Sequence, residues 1–293
     1  MIYLKLFLTA VFWGGTFIAG RILAQEVEPY AGSFLRFLVA TACMIPLVSH
    51  FEGRLQPLGR RQALVVFLSG MTDVFLYNVF FLTGLQTVQA GRASVIVASN
   101  PVLISLFAAL LFRGERMTAR KALGVALSVC GAVFVITRGH PAEILQGTVG
   151  RGEMFIFGCV ASWVSYSLIG KVVMRDVLPV SAVTYACLVG SAALLPPAII
   201  EGMAGNLGSY SIAAWLSMVY LGFFGTCIGF IWYYEGIREI GPSRAGVFIN
   251  FVPISAVILS FLLLGETIDA SLLIGAALVL SGIYLTNRPT GGA

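Results

Sequence analysis

The sequence predicts an all-α polytopic membrane protein with ten transmembrane helices, arranged as two five-helix inverted-topology repeats. Hydrophobic residues make up 58% of its 293 residues and charged residues only 11%, whereas soluble domains carry about 25% charged residues. Apolar runs of about 20 residues recur from end to end, and each is long enough to cross a bilayer as a helix. A soluble domain of this length would not bury so much apolar surface.

The ten predicted spans are joined by short connections. Their predicted boundaries are 4–24, 31–49, 62–84, 91–112, 119–137, 153–171, 179–200, 211–234, 243–264 and 270–287. The first span lacks a cleavage site for a signal peptidase, so we expect it to be retained. A glycine-rich connection of residues 139–152 is typical of a linker and separates a first repeat, 1–138, from a second repeat, 153–293.

Two stretches of the chain, residues 91–115 and 243–266, resemble each other. Arg92 corresponds to Arg244 and Pro101 to Pro253, and after one gap Gly114-Glu115 corresponds to Gly265-Glu266. Each copy is long enough to cross a membrane and carries its proline near the middle. The same duplication continues through the pairs Trp13 and Trp163, Pro29 and Pro179, Gly84 and Gly236, Gly124 and Gly275, and Gly131 and Gly282.

The number of spans in each half decides how the halves are oriented. Each half holds five predicted spans, an odd number, so the second half enters the membrane from the opposite face. Inverted repeats of this kind are common among transporters, which place their substrate site near the midplane between the halves.

Lysine and arginine residues concentrate on one side of the predicted spans. That side receives Lys5, Arg54, Arg60, Arg61, Arg113, Arg116, Arg120, Lys121, Lys171, Arg175, Arg238, Arg244 and Arg288, whereas the other receives Arg21, Arg92, Arg138 and Arg151. Because basic residues favour the cytoplasmic face, we predict that both termini lie in the cytoplasm.

The sequence resembles the drug/metabolite transporter superfamily, in its bacterial ten-helix branch with two tandem EamA-type domains. The matching motifs are Trp13-Gly14, Arg36-Phe37, Asn100-Pro101-Val102 and Gly114-Glu115, with the second-half counterparts Val252-Pro253 and Gly265-Glu266. The second half departs from the pattern, because Val164 follows Trp163 and Ala186 stands where Arg36 would repeat. The resemblance implies export of amino acids or related metabolites across the bacterial inner membrane.

Arg36 and Asp73 are the charged residues predicted to lie deepest in the membrane. A charge at mid-membrane is costly, so such a residue normally faces a cavity or a partner. The depths of Arg36 and Asp73 along their helices differ by only about 6 Å. We therefore hypothesise that the two side chains pair directly or through water, either as a structural ion pair or as part of a transport site.

Polar residues near the middle of the third, fourth and ninth spans predict a cavity wall. Asp73 and Tyr77 share one helical face, and Asn78 lies beside it. Proline frees a backbone carbonyl and bends a helix, and such groups are tolerated at mid-membrane where they line a cavity. We predict substrate contacts from Ser99, Asn100 and Asn250, and hinges at Pro101 and Pro253.

Two repeat-related tryptophans, Trp13 and Trp163, fall at mid-span rather than at the membrane surface where tryptophan is enriched. Phe17 and Tyr166 lie one turn or less away from them. These four aromatic residues either pack between helices or line an aromatic chamber with few polar contacts, as is usual for a small-molecule site. Four other aromatic residues near span ends are interpreted as interfacial belt residues: Trp215, Trp232, Tyr233 and Tyr234.

Arg92 and Arg244 begin the fourth and ninth spans at opposite membrane faces. They are interpreted either as anchors that reach toward the membrane surface or as gates that attract a carboxylate-bearing solute to one mouth each. The five cysteines lie in apolar runs without C-x-x-C spacing, and the two histidines lie in loops. The sequence therefore predicts no metal or other cofactor.

The favoured function is a non-enzymatic transporter for small metabolites, most of all amino acids with aromatic or other apolar side chains, working by alternating access. The expected partners are this substrate and the lipid bilayer, and no nucleic acid is expected. The alternatives are an exporter of other metabolites or drugs, a nucleotide-sugar or sugar-phosphate exchanger, and a membrane receptor or structural protein. Uniport and proton coupling through Asp73 both stay open.

Overall fold

The computed structural model describes residues 1–111, 117–140, 150–173 and 177–287. Over these residues the chain is built from long helices, and nine of them are long and apolar enough to cross a membrane. A tenth, shorter apolar helix covers Ala270–Thr286. The predicted all-α polytopic fold with ten membrane helices is confirmed.

The first repeat contains five helices, numbered here in chain order. Their bounds are α1 Ile2–Ala24, α2 Pro29–Phe51, α3 Arg60–Leu85, α4 Ala90–Leu111 and α5 Ala119–Ile136. The predicted Gly114-Glu115 motif and most of the predicted linker 139–152 lie outside the described residues.

The second repeat contains the other five long helices. Their bounds are α6 Arg151–Val173, α7 Pro179–Ile200, α8 Ile212–Ile240, α9 Pro242–Ile249 with Phe251–Leu264, and α10 Ala270–Asn287. A single-turn helix, Met203–Asn206, lies between α7 and α8. Helix α8 extends six residues beyond its predicted end at 234, and this extension changes the position of its tyrosines.

Helices α5 and α10 pack through glycines that correspond in the repeat. A Cβ atom on Gly124 would lie 2.7 Å from the carbonyl oxygen of Gly282, and one on Gly282 would lie 2.5 Å from that of Gly124. Gly131 and Gly275 oppose each other in the same way, at 2.7 and 2.8 Å. The two backbones therefore approach as closely as small residues allow in membrane helices.

A second pair of corresponding contacts joins α3 to α7 and, between the counterparts of these helices, α8 to α2. A Cβ on Gly70 of α3 would lie 2.9 Å from the Ala186 carbonyl oxygen, and one on Gly222 of α8 would lie 2.6 Å from the Arg36 carbonyl oxygen. Ala186 is the residue that corresponds to Arg36 in the repeat. Each repeat thus places its third helix against the second helix of the other repeat.

Helices α2 and α7 both begin with proline, at Pro29 and Pro179. Proline suits this position because the first N–H groups of a helix have no partner within the helix. A carboxylate from the far end of the opposite helix accepts the next free N–H groups. Glu201 accepts from the Ala31 N–H at 2.8 Å, and Glu52 accepts from those of Val180 and Ser181 at 2.9 Å each.

Corresponding irregularities interrupt the regular helices of both repeats. Helices α3 and α8 each contain a π-helical segment, Gly70–Leu76 and Tyr220–Ile228. Helix α4 is interrupted between Val97 and Asn100, and α9 is interrupted at Asn250. Both interruptions lie just before the prolines of the predicted hinges, because proline cannot continue the hydrogen-bond pattern of the preceding turn.

Candidate functional site

A cavity of about 530 Å³ lies between the two repeats and is lined by helices of both. The helix interruptions before the prolines and the two π-helical segments flank this cavity. Such helix irregularities are frequent at functional sites. The structure brings twelve of the predicted site residues together around it: Trp13, Phe17, Arg36, Asp73, Tyr77, Asn78, Asn100, Pro101, Trp163, Tyr166, Asn250 and Pro253.

Three predicted site residues do not line this cavity. Ser99 is buried, and its hydroxyl donates to the Ile96 carbonyl oxygen at 2.7 Å, one turn back along its own helix. Arg92 is buried away from the cavity, and Arg244 is exposed. The expectation that Ser99 shares a wall with Asn100 is corrected, because successive residues of a helix point in different directions.

The belt interpretation of Tyr233 and Tyr234 is also corrected, since both residues line the cavity. Helix α8 ends at Ile240 rather than near 234, so Tyr234 lies about 9 Å inside the end of the helix. Phe230, one turn before Tyr234, and Thr226, one turn before Phe230, line the cavity as well. Sequence reasoning missed Phe230 and Thr226 because an aromatic or threonine residue in an apolar run carries no distinguishing signal.

The Arg36 side chain extends from α2 and contacts residues of both repeats. Its guanidinium donates to Asn78 Oδ1 at 2.8 Å and to the Thr226 hydroxyl at 3.2 Å, and it lies over the Phe37 ring at 4.4 Å from the centroid. Its Nε atom is buried and has no hydrogen-bond partner in the structure. A buried donor without a partner is costly, so Arg36, which lines the cavity, carries one N–H group that no described residue accepts.

The hypothesised direct pairing of Arg36 with Asp73 is not observed. Neither ion pair found among the described residues, Lys5–Glu235 or Arg92–Asp269, involves them. The Arg36 guanidinium donates to Asn78 Oδ1 instead. The Asn78 amide N–H group in turn donates to the backbone carbonyls of Asp73 and Val74 at 2.9 and 3.0 Å. These carbonyls lie in the π-helical segment of α3, where the regular helical bonding pattern is altered.

The Asp73 carboxylate accepts no hydrogen bond from any described residue and is partly exposed in the cavity wall. Asn100, at the interruption of α4, is buried, and its Oδ1 atom likewise has no hydrogen-bond partner. Arg36, Asp73 and Asn100 therefore all line the cavity, and each carries a polar side-chain atom that no described residue satisfies.

The two repeat-related tryptophans both line the cavity but are held differently. The indole N–H of Trp13 donates to the Gly225 carbonyl oxygen at 2.9 Å, and its ring packs against Phe230 and Tyr233 with centroids 5.7 and 5.3 Å apart. Trp163 packs between Tyr77 and Tyr166, each with its centroid 5.5 Å away. The walls are thus mainly apolar and include ten aromatic side chains, with a few polar groups that suit a small amphiphile.

Arg92 forms a separate polar cluster near the ends of α5 and α10. Its guanidinium donates to the Val135 carbonyl oxygen at 2.7 Å and forms an ion pair with Asp269. Burial alone would raise the pKa of Asp269, but hydrogen bonds from Ser271 and the Leu272 N–H, together with the Arg92 charge, lower it below its usual value. Arg92 therefore holds three helices together here.

No group of three or more His, Cys, Asp and Glu residues suited to a metal ion occurs in the described part of the chain. The chemistry that the cavity residues offer is non-covalent: charge pairing, hydrogen bonding and aromatic packing.

Comparison with known proteins gives matches along almost the whole chain. The EamA-like transporter family matches residues 1–137 and 150–288. The uncharacterized transporter YyaM of Bacillus subtilis is 28% identical over 282 residues, which cover 96% of this chain and 92% of YyaM. A probable terminal-alkyne amino-acid exporter of Streptantibioticus cattleyicolor is 31% identical over 290 residues, covering 98% of this chain and 93% of the exporter.

A solved crystal structure shares the fold. It aligns with a TM-score of 0.63 and 22% sequence identity, over 97% of this chain and 96% of that one.

Proposed function

The chain belongs to the EamA-like transporter family, a family of membrane transporters, and we propose that it exports amino acids with apolar side chains by alternating access. One observation carries the substrate class. The cavity between the repeats contains a guanidinium, from Arg36, and a carboxylate, from Asp73, within mainly apolar walls that include ten aromatic side chains.

This arrangement complements the chemistry of a zwitterion with an apolar side chain. A guanidinium binds a carboxylate through charge-assisted hydrogen bonds. The Asp73 carboxylate complements an ammonium group, and the rings of Trp13 and Trp163 complement an apolar side chain. The Streptantibioticus relative, a probable amino-acid exporter, supports the same substrate class.

The cavity is less suited to phosphate-bearing substrates such as nucleotide sugars. Among the described residues that line it, Arg36 is the single basic residue. A phosphate group carries more negative charge than one guanidinium neutralises. The exchanger alternative is therefore second to amino-acid export.

Alternating access is supported by the corresponding irregularities of the two repeats. Helices α4 and α9 are interrupted just before Pro101 and Pro253, at corresponding positions. Because the repeats have opposite orientations, bending at one proline opens the cavity to one face, and bending at the other opens it to the opposite face. Pro101 and Pro253 act as the hinges of this motion.

The proposed location is the bacterial inner membrane, with both termini in the cytoplasm. The distribution of lysine and arginine between the connections supports this orientation. The direction of transport is outward, as in the probable exporter that the chain resembles.

The experiment that tests the proposal is uptake of a panel of radiolabelled amino acids into liposomes containing the purified protein, with and without a pH gradient. We expect saturable uptake of apolar amino acids, with aspartate and lysine excluded. The variant Asp73→Asn removes the cavity carboxylate, and Glu28→Gln, at an exposed carboxylate outside the cavity, is its matched control. Absence of uptake for every amino acid refutes the substrate class.

The pH gradient separates the two coupling schemes. Uptake that a gradient accelerates in the unmodified protein but not in Asp73→Asn supports proton coupling through Asp73. Uptake that is insensitive to the gradient in both proteins assigns the transporter to facilitated diffusion.

A further inference from the structure

The two repeats make unequal contributions to the cavity wall. The first repeat supplies Arg36, Asp73, Asn78 and Asn100. The described lining residues of the second repeat are all uncharged, and Ala186 stands where Arg36 would repeat. The shared fold is therefore symmetric, whereas the charge inside the cavity is not.

Position 225 shows the same inequality within the two π-helical segments. Gly70 and Gly222 make corresponding close contacts, so the residue that corresponds to Asp73 is Gly225. Gly225 has no side chain, and its carbonyl oxygen accepts the Trp13 indole N–H. The position that presents a carboxylate in one repeat is thus used in the other to fix an aromatic ring.

From this inequality we infer that the two repeats make different contributions to substrate recognition: the charged and amide groups of the first repeat bind the amino-acid head group, and the aromatic wall of helix α8 in the second repeat, which packs against Trp13, selects the side chain by size. The inference rests on the proposed function and adds the residues that determine specificity. Arg36 binds the α-carboxylate, and Phe230 with Tyr233 limits the size of the side chain.

The unpartnered atoms of the first repeat support the head-group assignment. Arg36 Nε is a buried donor without an acceptor, and Asn100 Oδ1 is a buried acceptor without a donor. Buried polar groups normally have partners, so each exception asks for an explanation. An α-carboxylate supplies the missing acceptor, and an α-ammonium supplies the missing donor.

The packing of helix α8 supports the side-chain assignment. Phe230 and Tyr233 line the cavity and are fixed on one side by Trp13, at 5.7 and 5.3 Å between centroids. Trp13 itself cannot turn freely because its indole N–H is bonded to Gly225. These rings therefore form a rigid wall, and a rigid wall discriminates between side chains by size.

The test uses counterflow of labelled phenylalanine in liposomes, with unlabelled competitors of two kinds. Phenylethylamine, which lacks the carboxylate, probes the head-group site. Leucine and tryptophan, which differ in side-chain size, probe the aromatic wall. Arg36→Gln is compared with Arg238→Gln, an exposed arginine outside the cavity, and Phe230→Ala is compared with Phe223→Ala, a partly exposed residue of the same helix outside the cavity.

We expect Arg36→Gln to reduce the preference for phenylalanine over phenylethylamine by about 10–100-fold, the range for loss of a charge-assisted hydrogen bond. The ranking of leucine and tryptophan should stay unchanged in this variant. Phe230→Ala should improve competition by tryptophan relative to leucine and leave the preference over phenylethylamine unchanged. Arg238→Gln and Phe223→Ala should change neither ratio.

Size-exclusion profiles confirm that each variant is folded, and Arg36→Lys replaces Arg36→Gln if the glutamine variant is not. Lysine keeps the charge but lacks Nε, so it should lose part of the preference for the carboxylate. The inference is overturned if Arg36→Gln weakens phenylalanine and phenylethylamine equally, or if Phe230→Ala changes head-group preference. Absence of phenylalanine counterflow in the unmodified protein instead refutes the proposed function.

Discussion

Replacing Gly131 with alanine tests the reciprocal packing of α5 on α10. The added Cβ would lie 2.7 Å from the Gly275 carbonyl oxygen and 2.8 Å from the Leu278 Cβ. Neither atom belongs to the flexible end of a side chain, so the two helices must move apart. The contact is reciprocal, because a Cβ added at Gly275 would in turn lie 2.8 Å from the Gly131 carbonyl oxygen.

The expected cost follows from this contact. Overpacking of a tight interior typically costs about 1–3 kcal/mol. Within a helix, alanine is also more favourable than glycine by about 1 kcal/mol. The control must therefore carry the same glycine-to-alanine change in a helix. Gly205 is that control, because a Cβ there meets nothing within 4 Å. Gly131→Ala should therefore be less stable than Gly205→Ala by about 1–3 kcal/mol, or about 5–150-fold in the unfolding equilibrium.

The assay is unfolding of the purified protein in mixed micelles, by titration with a denaturing detergent and detection by tryptophan fluorescence. The double variant Gly131→Ala with Gly275→Ala should cost less than the sum of the single variants, because both changes separate the same two helices. If Gly131→Ala is as stable as Gly205→Ala, the close approach of α5 and α10 at this site is refuted.

Two further predictions concern the carboxylates at helix ends. Glu52→Ala removes the acceptor for the first N–H groups of α7 and should lower the free energy of unfolding by about 0.5–2 kcal/mol. Glu28→Ala, at an exposed residue without a capping bond, is the control and should have no measurable effect. Equal effects of the two variants would contradict the capping role of Glu52. The folded pKa of Asp269 lies below its usual value, so its stabilising contribution should be present above about pH 4 and lost as the pH falls through the folded pKa. Thermal unfolding measured against pH should show this loss, Asp269→Asn should remove it, and an unchanged acid profile in that variant would contradict the role of the ion pair with Arg92.

The charged and amide residues of the cavity wall could be predicted from the sequence. Polar and charged residues inside apolar runs, such as Asp73 and Asn100, must face a cavity or a polar partner, because lipid tails offer no hydrogen bond and no opposite charge. The prolines at 101 and 253 mark helix interruptions for a purely local reason. The family motifs and the repeat added Trp13 and Trp163, and all six residues line the cavity with the others named above.

The composition and the duplication of the sequence by themselves determined the class of fold, the number of membrane helices and twelve of the residues that line the cavity. Tertiary structure alone decided the partners: Arg36 contacts Asn78 and Thr226 instead of Asp73, and Tyr233 lies in the cavity wall. Helical rise gives the depth of a residue in the membrane, but the direction of its side chain depends on how each helix is rotated against its neighbours. That rotation is set by close contacts between residues far apart in the chain, such as Gly131 and Gly275.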